Sequence, residues 1–170
     1  MVKLAKVLDV PVLATEQNPR ALGPTVPELN LSNLGPLHFA TVSKTLFSMA
    51  TPEVLKMLGD KQFKSVAIFG IESHICVLQT TLDLLEGGYD VHVIADGVSS
   101  CNPEEVPIAL ERMRQAGAQI TTSESLAFQL QRDASSSTFK AFSSLIKEEK
   151  DTTKESLQRL LSSHTKHSMV

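Results

Sequence analysis

The residue with the most chemistry to offer is Cys76, in the stretch Gly70-Ile-Glu-Ser-His-Ile-Cys76. An apolar run, Ser65-Val-Ala-Ile-Phe-Gly70, precedes it, and Ile75, Leu78, Leu82 and Leu85 follow at helical spacing. The sulfur is therefore predicted in the first turn of a helix that follows a strand. Backbone N–H groups and the helix dipole favour a thiolate there. The same N–H groups can hold an oxyanion formed on a substrate carbonyl. A small buried apolar cysteine is the other reading. Lys44, just after a strand-like segment at 39–43, is either a solvated surface lysine or the ammonium that steadies such a thiolate. His74 offers a base or a ligand. His38, His92, His164 and His167 are scattered rather than set at metal-ligand spacing, so no metal site is expected. Glu72 reads as a salt-bridged turn residue, Asp96 as a turn anchor or helix cap, and Cys101 as a loop thiol. No Gly-rich dinucleotide or P-loop motif and no Gly-x-Ser-x-Gly elbow occurs, so no cofactor is expected.

The elements that must position these groups alternate. Residues 2–9 read as helix, stopped by Pro11. Val12-Leu-Ala14 reads as a buried strand, without the alternation of a half-exposed one. Residues 18–38, with four prolines and two glycines, read as a loop. Thr51 and Pro52 open a helix over 52–59. Residues 65–95 form a strand–helix–strand unit whose helix ends at Gly87 and Gly88. Pro107 pushes the next helix start toward Glu105, and that helix ends at Gly117. A strand over 118–121 follows, then a helix over 124–132 capped by Thr121 and Glu124. From Lys147 the chain is polar, with Leu157, Leu160 and Leu161 on one side of a terminal helix. The order gives a three-layer α/β domain with a mainly parallel sheet and helices on both faces. Ligands in such sheets bind beyond the carboxyl ends of the strands. That places Glu16, Gln17, Lys44, the turn 71–76 and residues 96–100 along one edge.

Composition narrows the function classes. The chain has 170 residues, formal net charge −3 and 42% hydrophobic residues, which fits one globular domain. Mild acidity argues against nucleic acid as a partner. No apolar run is long enough to cross a bilayer, so no membrane partner is expected. Two cysteines cannot build a disulfide framework and point to a reducing, cytoplasmic setting. No targeting peptide is evident, although an amino terminus not present here could carry an organelle signal.

Residues 70–97, G-I-E-S-H-I-C-V-L-Q-T-T-L-D-L-L-E-G-G-Y-D-V-H-V-I-A-D-G, resemble the signature segment of the isochorismatase-like cysteine hydrolases. The stretches P-V-L-A-T-E-Q (11–17), L-G-P-T-V-P-E-L (22–29), S-K-T-L-F-S-M (43–49), A-L-E-R-M-R-Q-A-G-A (109–118) and T-T-S-E-S-L (121–126) are similar to the animal isochorismatase-domain-containing proteins within that family. The resemblance implies a Rossmann-like sheet and a catalytic set of Asp, Lys and Cys. Cys76 would be the nucleophile and Lys44 the lysine. A cis peptide would fall at Ile71–Glu72, helping to form an oxyanion hole. Glu16, Gln17 and His74 would line the substrate pocket. The family Asp lies on a first strand ahead of the helix at 2–9. This sequence contains no such segment, and Asp9 is not its counterpart. The expectation is thus a domain over 1–147 lacking its first central strand, with a polar tail over 148–170. The neighbouring strands would close together, or the sequence is a shortened product. Two functions follow as expectations. One is a small-molecule hydrolase of a C–N or enol-ether bond, of unknown substrate and impaired without the Asp. The other is a non-catalytic module on the same scaffold with a protein partner. Homo-oligomers are expected in either case.

Overall fold

The computed structural model describes residues 1–165, with side chains to residue 160. Its elements in order are α1 (Val2–Val7), β1 (Val12–Gln17), α2 (Pro19–Leu22), two 3-10 segments (Pro27–Leu29 and Leu31–Leu37), β2 (His38–Lys44), α3 (Pro52–Asp60), β3 (Ser65–Gly70), a π-helical turn (Ser73–Val77), α4 (Leu78–Glu86), β4 (Asp90–Val98), α5 (Glu105–Gln115), β5 (Gln119–Thr121), α6 (Ser123–Gln131), α7 (Phe139–Glu148) and α8 (Lys150–Thr165). Local chemistry sets several boundaries. The Thr51 hydroxyl accepts the Val54 N–H and Pro52 needs no donor, which starts α3. Gly88, at φ +79°, supplies the left-handed residue that turns the chain from α4 into β4.

Every strand pairing is parallel, and all belong to an α/β fold with helices on both faces. The pairings fall into two sheets, β1–β2 and β3–β4–β5. β1 and β3 do not pair, so the strands either side of the expected gap have not closed up. Burial follows from this. All six residues of β1 are only half-buried, where the sequence pattern predicts a covered strand. A strand paired on one edge alone lacks the cover that an unbroken apolar run normally finds.

β4 shows how the layers are built. Val91, Val93 and Ala95 point into the main core with Val54 and Leu58 of α3, Leu78 and Leu84 of α4, and Leu110 and Met113 of α5. Ile94 and Asp96 have the opposite parity, and Asp96 bonds to the first residue of α6. On that side Leu4, Ala127 and Phe142 make a smaller core joining α1, α6 and α7. Gly97 lies where β4 bulges past β3. A Cβ there would sit 3.0 Å from Ile94 Cγ2 and 3.1 Å from Phe69 Cβ, so any larger residue would force these neighbours to shift by a few tenths of an ångström. α8 brings Leu160 against the main core. Leu161 and the imidazoles of His164 and His167 lie outside the described side chains.

Three further expectations shift. The 18–38 loop contains α2 and the 3-10 segments, because its prolines suit first helical turns as well as loops. Cys76 lies in a π-helical turn, not an α-helical one. α6 is capped by Thr122, one residue later than predicted, through the Ser125 N–H.

Candidate active site

Lys44 ends β2 with its side chain turned inward, leaving the residue 7% exposed. Its Nζ donates to Gln17 Oε1 at 2.6 Å, Leu46 O at 3.0 Å and Phe47 O at 2.9 Å. Cys76 Sγ lies 3.9 Å from the same nitrogen. An ammonium has three N–H groups, and three neutral oxygens take them. The contact with sulfur is therefore one of charge more than of a directed hydrogen bond. Among the described residues no carboxylate bonds to Lys44 or to Cys76. The Cys76 sulfur is the ionisable group described nearest to the buried ammonium. Burial pushes the Lys44 ammonium below the ordinary lysine range, and the neighbouring Cys76 pulls it part of the way back.

This predicts a pH signature. Where the folded chain has released the Lys44 proton and the unfolded chain has not, stability rises with pH. The cost of the buried charge is fully present below the folded-state value. Lys44→Met removes that slope. Urea midpoints measured from neutral to alkaline pH should shift in favour of the unaltered chain relative to Lys44→Met. A difference that stays constant with pH would contradict the assignment.

Gln17 serves as the bracket for Lys44. Its Nε2 donates to Thr45 O at 2.9 Å while its Oε1 accepts from Lys44, so both ends of the amide are fixed. β1 and β2 pair at Gln17 and Lys44, which explains why two residues 27 apart meet. Glu16 alternates to the other side and accepts the Thr25 N–H and hydroxyl at 2.7 and 2.8 Å. Its carboxylate is held below the usual range by those bonds and fastens the 18–37 segment. Glu16 is thus not joined to Gln17 and Lys44.

The turn that carries Cys76 is tied down from the other side. The Ile71–Glu72 peptide is cis. Ser73 is fully buried, and its N–H donates to Ser99 O at 2.8 Å. The Glu72 carbonyl accepts the N–H groups of Ile75 and Val77. The Glu72 carboxylate accepts the Cys101 N–H at 2.6 Å, so it holds the 99–102 loop rather than forming a salt bridge. His74 Nδ1 meets Ser100 Oγ at 3.1 Å, joining the same loop. Cys101 is exposed. Asp96 anchors α6, accepting the Ser123 N–H and hydroxyl, as a turn anchor or cap should.

The structure therefore brings Lys44, Gln17 and Cys76 together. It places His74 and Glu72 in the same turn as Cys76, bonded to the 99–102 loop, and sends Glu16 and Asp96 elsewhere. A cavity of about 630 Å³ lies apart from this set. It is lined by α1, Leu34, Phe69, Asp96, Ala127 and parts of α7 and α8, and none of Gln17, Lys44, His74 or Cys76 borders it. The carbonyls of Leu46 and Phe47 escape sequence reading, since any residue carries one. Thr80 escapes too, although a threonine four residues after the cysteine is the spacing at which a hydroxyl reaches back to a helical carbonyl.

The chain is similar to several known proteins. The isochorismatase domain model matches residues 1–125. Isochorismatase domain-containing protein 2A of Mus musculus is 49% identical over 148 residues, covering 87% of this chain and 69% of that protein. Among solved structures, MAR1 ribonuclease from Caenorhabditis elegans superposes with a TM-score of 0.76 at 40% identity, over 85% of this chain and 73% of that one. The YcaC gene product from Escherichia coli, described as an octameric hydrolase of unknown specificity, superposes with a TM-score of 0.71 at 30% identity, over 78% of this chain and 65% of that one.

Proposed function

We propose, for a chain that belongs to the isochorismatase family, that Cys76 and Lys44 act as a nucleophilic pair toward a small molecule with a C–N or enol-ether bond. The observation that carries the reading is the buried ammonium 3.9 Å from the sulfur, with only neutral oxygens as its other partners among the described residues. For an amide, the sulfur forms a C–S bond as the C–N bond breaks. The leaving amine takes a proton from Lys44, which its burial makes easier to release. Water then attacks the thioester, its proton passes to the Lys44 amine, and the C–S bond breaks. Sulfur and lysine return to their starting states. N–H groups of the 71–76 turn would hold the oxyanion. Gln17 orients Lys44, and His74 lies within the turn itself. The scheme uses no cofactor.

The second step is the weak one. No carboxylate among the described residues stands ready to take the proton of water, and Lys44 is committed to three acceptors. We therefore expect acylation to outrun turnover. Like the octameric hydrolase it resembles, the chain is expected to self-associate. The ribonuclease name of its structural neighbour is not carried over, because a formal net charge of −3 gives no cationic field for a phosphate backbone. Intact-mass measurement after mixing with an activated acyl ester tests the reading. An acyl group retained on the Cys76 peptide supports it. If the chain is never acylated, the nucleophilic reading fails, and a non-catalytic module with a protein partner becomes the better account.

A further inference from the structure

Two threonines stand side by side on α4, and they differ in one respect. Both are buried, Thr80 at 2% and Thr81 at 0% exposure. The Thr81 hydroxyl has no hydrogen-bond partner among the described residues. The Thr80 hydroxyl has two. It donates to the Cys76 carbonyl at 2.5 Å and accepts the Met49 N–H at 2.7 Å. Those partners belong to the two segments that make the candidate site. Cys76 is the nucleophile residue itself. Met49 lies two residues after Phe47, in the loop whose Leu46 and Phe47 carbonyls grip Lys44. The loop is stiff beyond that point, since Ala50 N–H donates to Ser48 Oγ and Thr51 N–H donates to Met49 O. One oxygen atom thus clamps the lysine loop of one sheet to the cysteine helix that follows the other.

We propose that Thr80 is a positioning residue, its hydroxyl setting the separation between Lys44 and Cys76. The physical need arises from the division of the strands. β1–β2 and β3–β4–β5 share no ladder hydrogen bonds, so backbone pairing does not fix the distance from Lys44 to Cys76. Packing resists compression but tolerates sliding. A hydroxyl bonded on both sides resists both. Its loss leaves the partly buried Met49 N–H without that acceptor, and the cheapest escape is for the loop to move away from α4 toward water. The Lys44 acceptors move with it. Thr81 cannot do this, because its hydroxyl holds nothing.

The inference rests on the reading of Cys76 and Lys44 as a reactive pair, and the test separates the two. Iodoacetamide labelling of Cys76 is followed by peptide mass spectrometry across a range of pH, for the unaltered chain and for Lys44→Met, Thr80→Val, Thr80→Ser and Thr81→Val. Thr80→Val is expected to label about tenfold more slowly at acid pH and to move the profile toward that of Lys44→Met. Thr80→Ser keeps the hydroxyl and should restore the original profile, which also serves if Thr80→Val does not fold. Thr81→Val should match the unaltered chain. A Thr80→Val profile superimposed on the unaltered one overturns the proposal, as does Thr80→Ser behaving like Lys44→Met. If Lys44→Met itself labels like the unaltered chain, the pair is not a pair, and both readings fall.

Discussion

Cys76→Ser is expected to form no acyl adduct and to lose activated-ester cleavage by on the order of 10³-fold or more. A serine hydroxyl fits the space, so the loss is chemical. Lys44 has given its three N–H groups to Gln17, Leu46 and Phe47, and no carboxylate among the described residues can take a hydroxyl proton. A thiol can ionise beside an ammonium under these conditions, whereas an alcohol cannot. Cys101→Ser provides the control. Cys101 is exposed and enters the described hydrogen bonds through its backbone N–H to Glu72, which serine keeps. Time courses with an activated ester, read by leaving-group release and by intact mass, distinguish the variants. An adduct that survives Cys76→Ser, or disappears in Cys101→Ser, would place the chemistry on the wrong sulfur.

The parts of this site that were legible in the sequence share a property: each is fixed by local chain chemistry. Gly70, the polar turn and the apolar period after it put Cys76 between a strand and a helix, because those residue types leave few alternatives. Thr51-Pro52 starts a helix for the same kind of reason. The family resemblance added the cis peptide at Ile71–Glu72, which local physics would never suggest for a non-proline residue. What remained hidden depends on distant partners. Glu16 and Gln17 are neighbours with similar side chains, yet strand alternation sends one to Thr25 and the other to Lys44. The π turn at Ser73–Val77 is set by the bonds of Ser73 and Glu72 to residues 99–101, not by its own sequence. Phe139, Phe142, Leu145 and Ile146 do carry the helical period of α7. The sequence reading assigns no element between 132 and Lys147 and so misses this helix.

The division of the strands into two sheets follows from the same distinction. Residue types specify that β1 and β3 are strands, but only a neighbour can satisfy the edge of each. The carboxyl ends nonetheless stay in register across the division, since Lys44 of one sheet reaches the cysteine beyond the other. Side chains therefore hold the site together where the backbone ladder does not. That is a less rigid arrangement than a continuous sheet, and pre-organisation is what a catalytic pair most needs.

A burst of one equivalent of leaving group, followed by turnover at least about 10²-fold slower, is the expected time course with a good acyl donor, because a positioned base contributes about 10² to 10⁴ in rate. The first step needs only a nucleophilic sulfur and a proton for the leaving group, and Lys44 can supply that proton. The second needs a base for water. An amine left on Lys44 after the first step could serve, but it has two N–H groups and one lone pair, and the three oxygens around it leave that lone pair poorly aimed at a water above the thioester. Added formate should speed the slow phase without changing the burst, since a small carboxylate can diffuse to the open site and take the proton of water. Acetate should do the same less well if the opening is narrow, and chloride at equal ionic strength should do nothing. A linear time course, with no burst and no response to formate, would mean that the pair deacylates unaided and that Lys44 is a sufficient base.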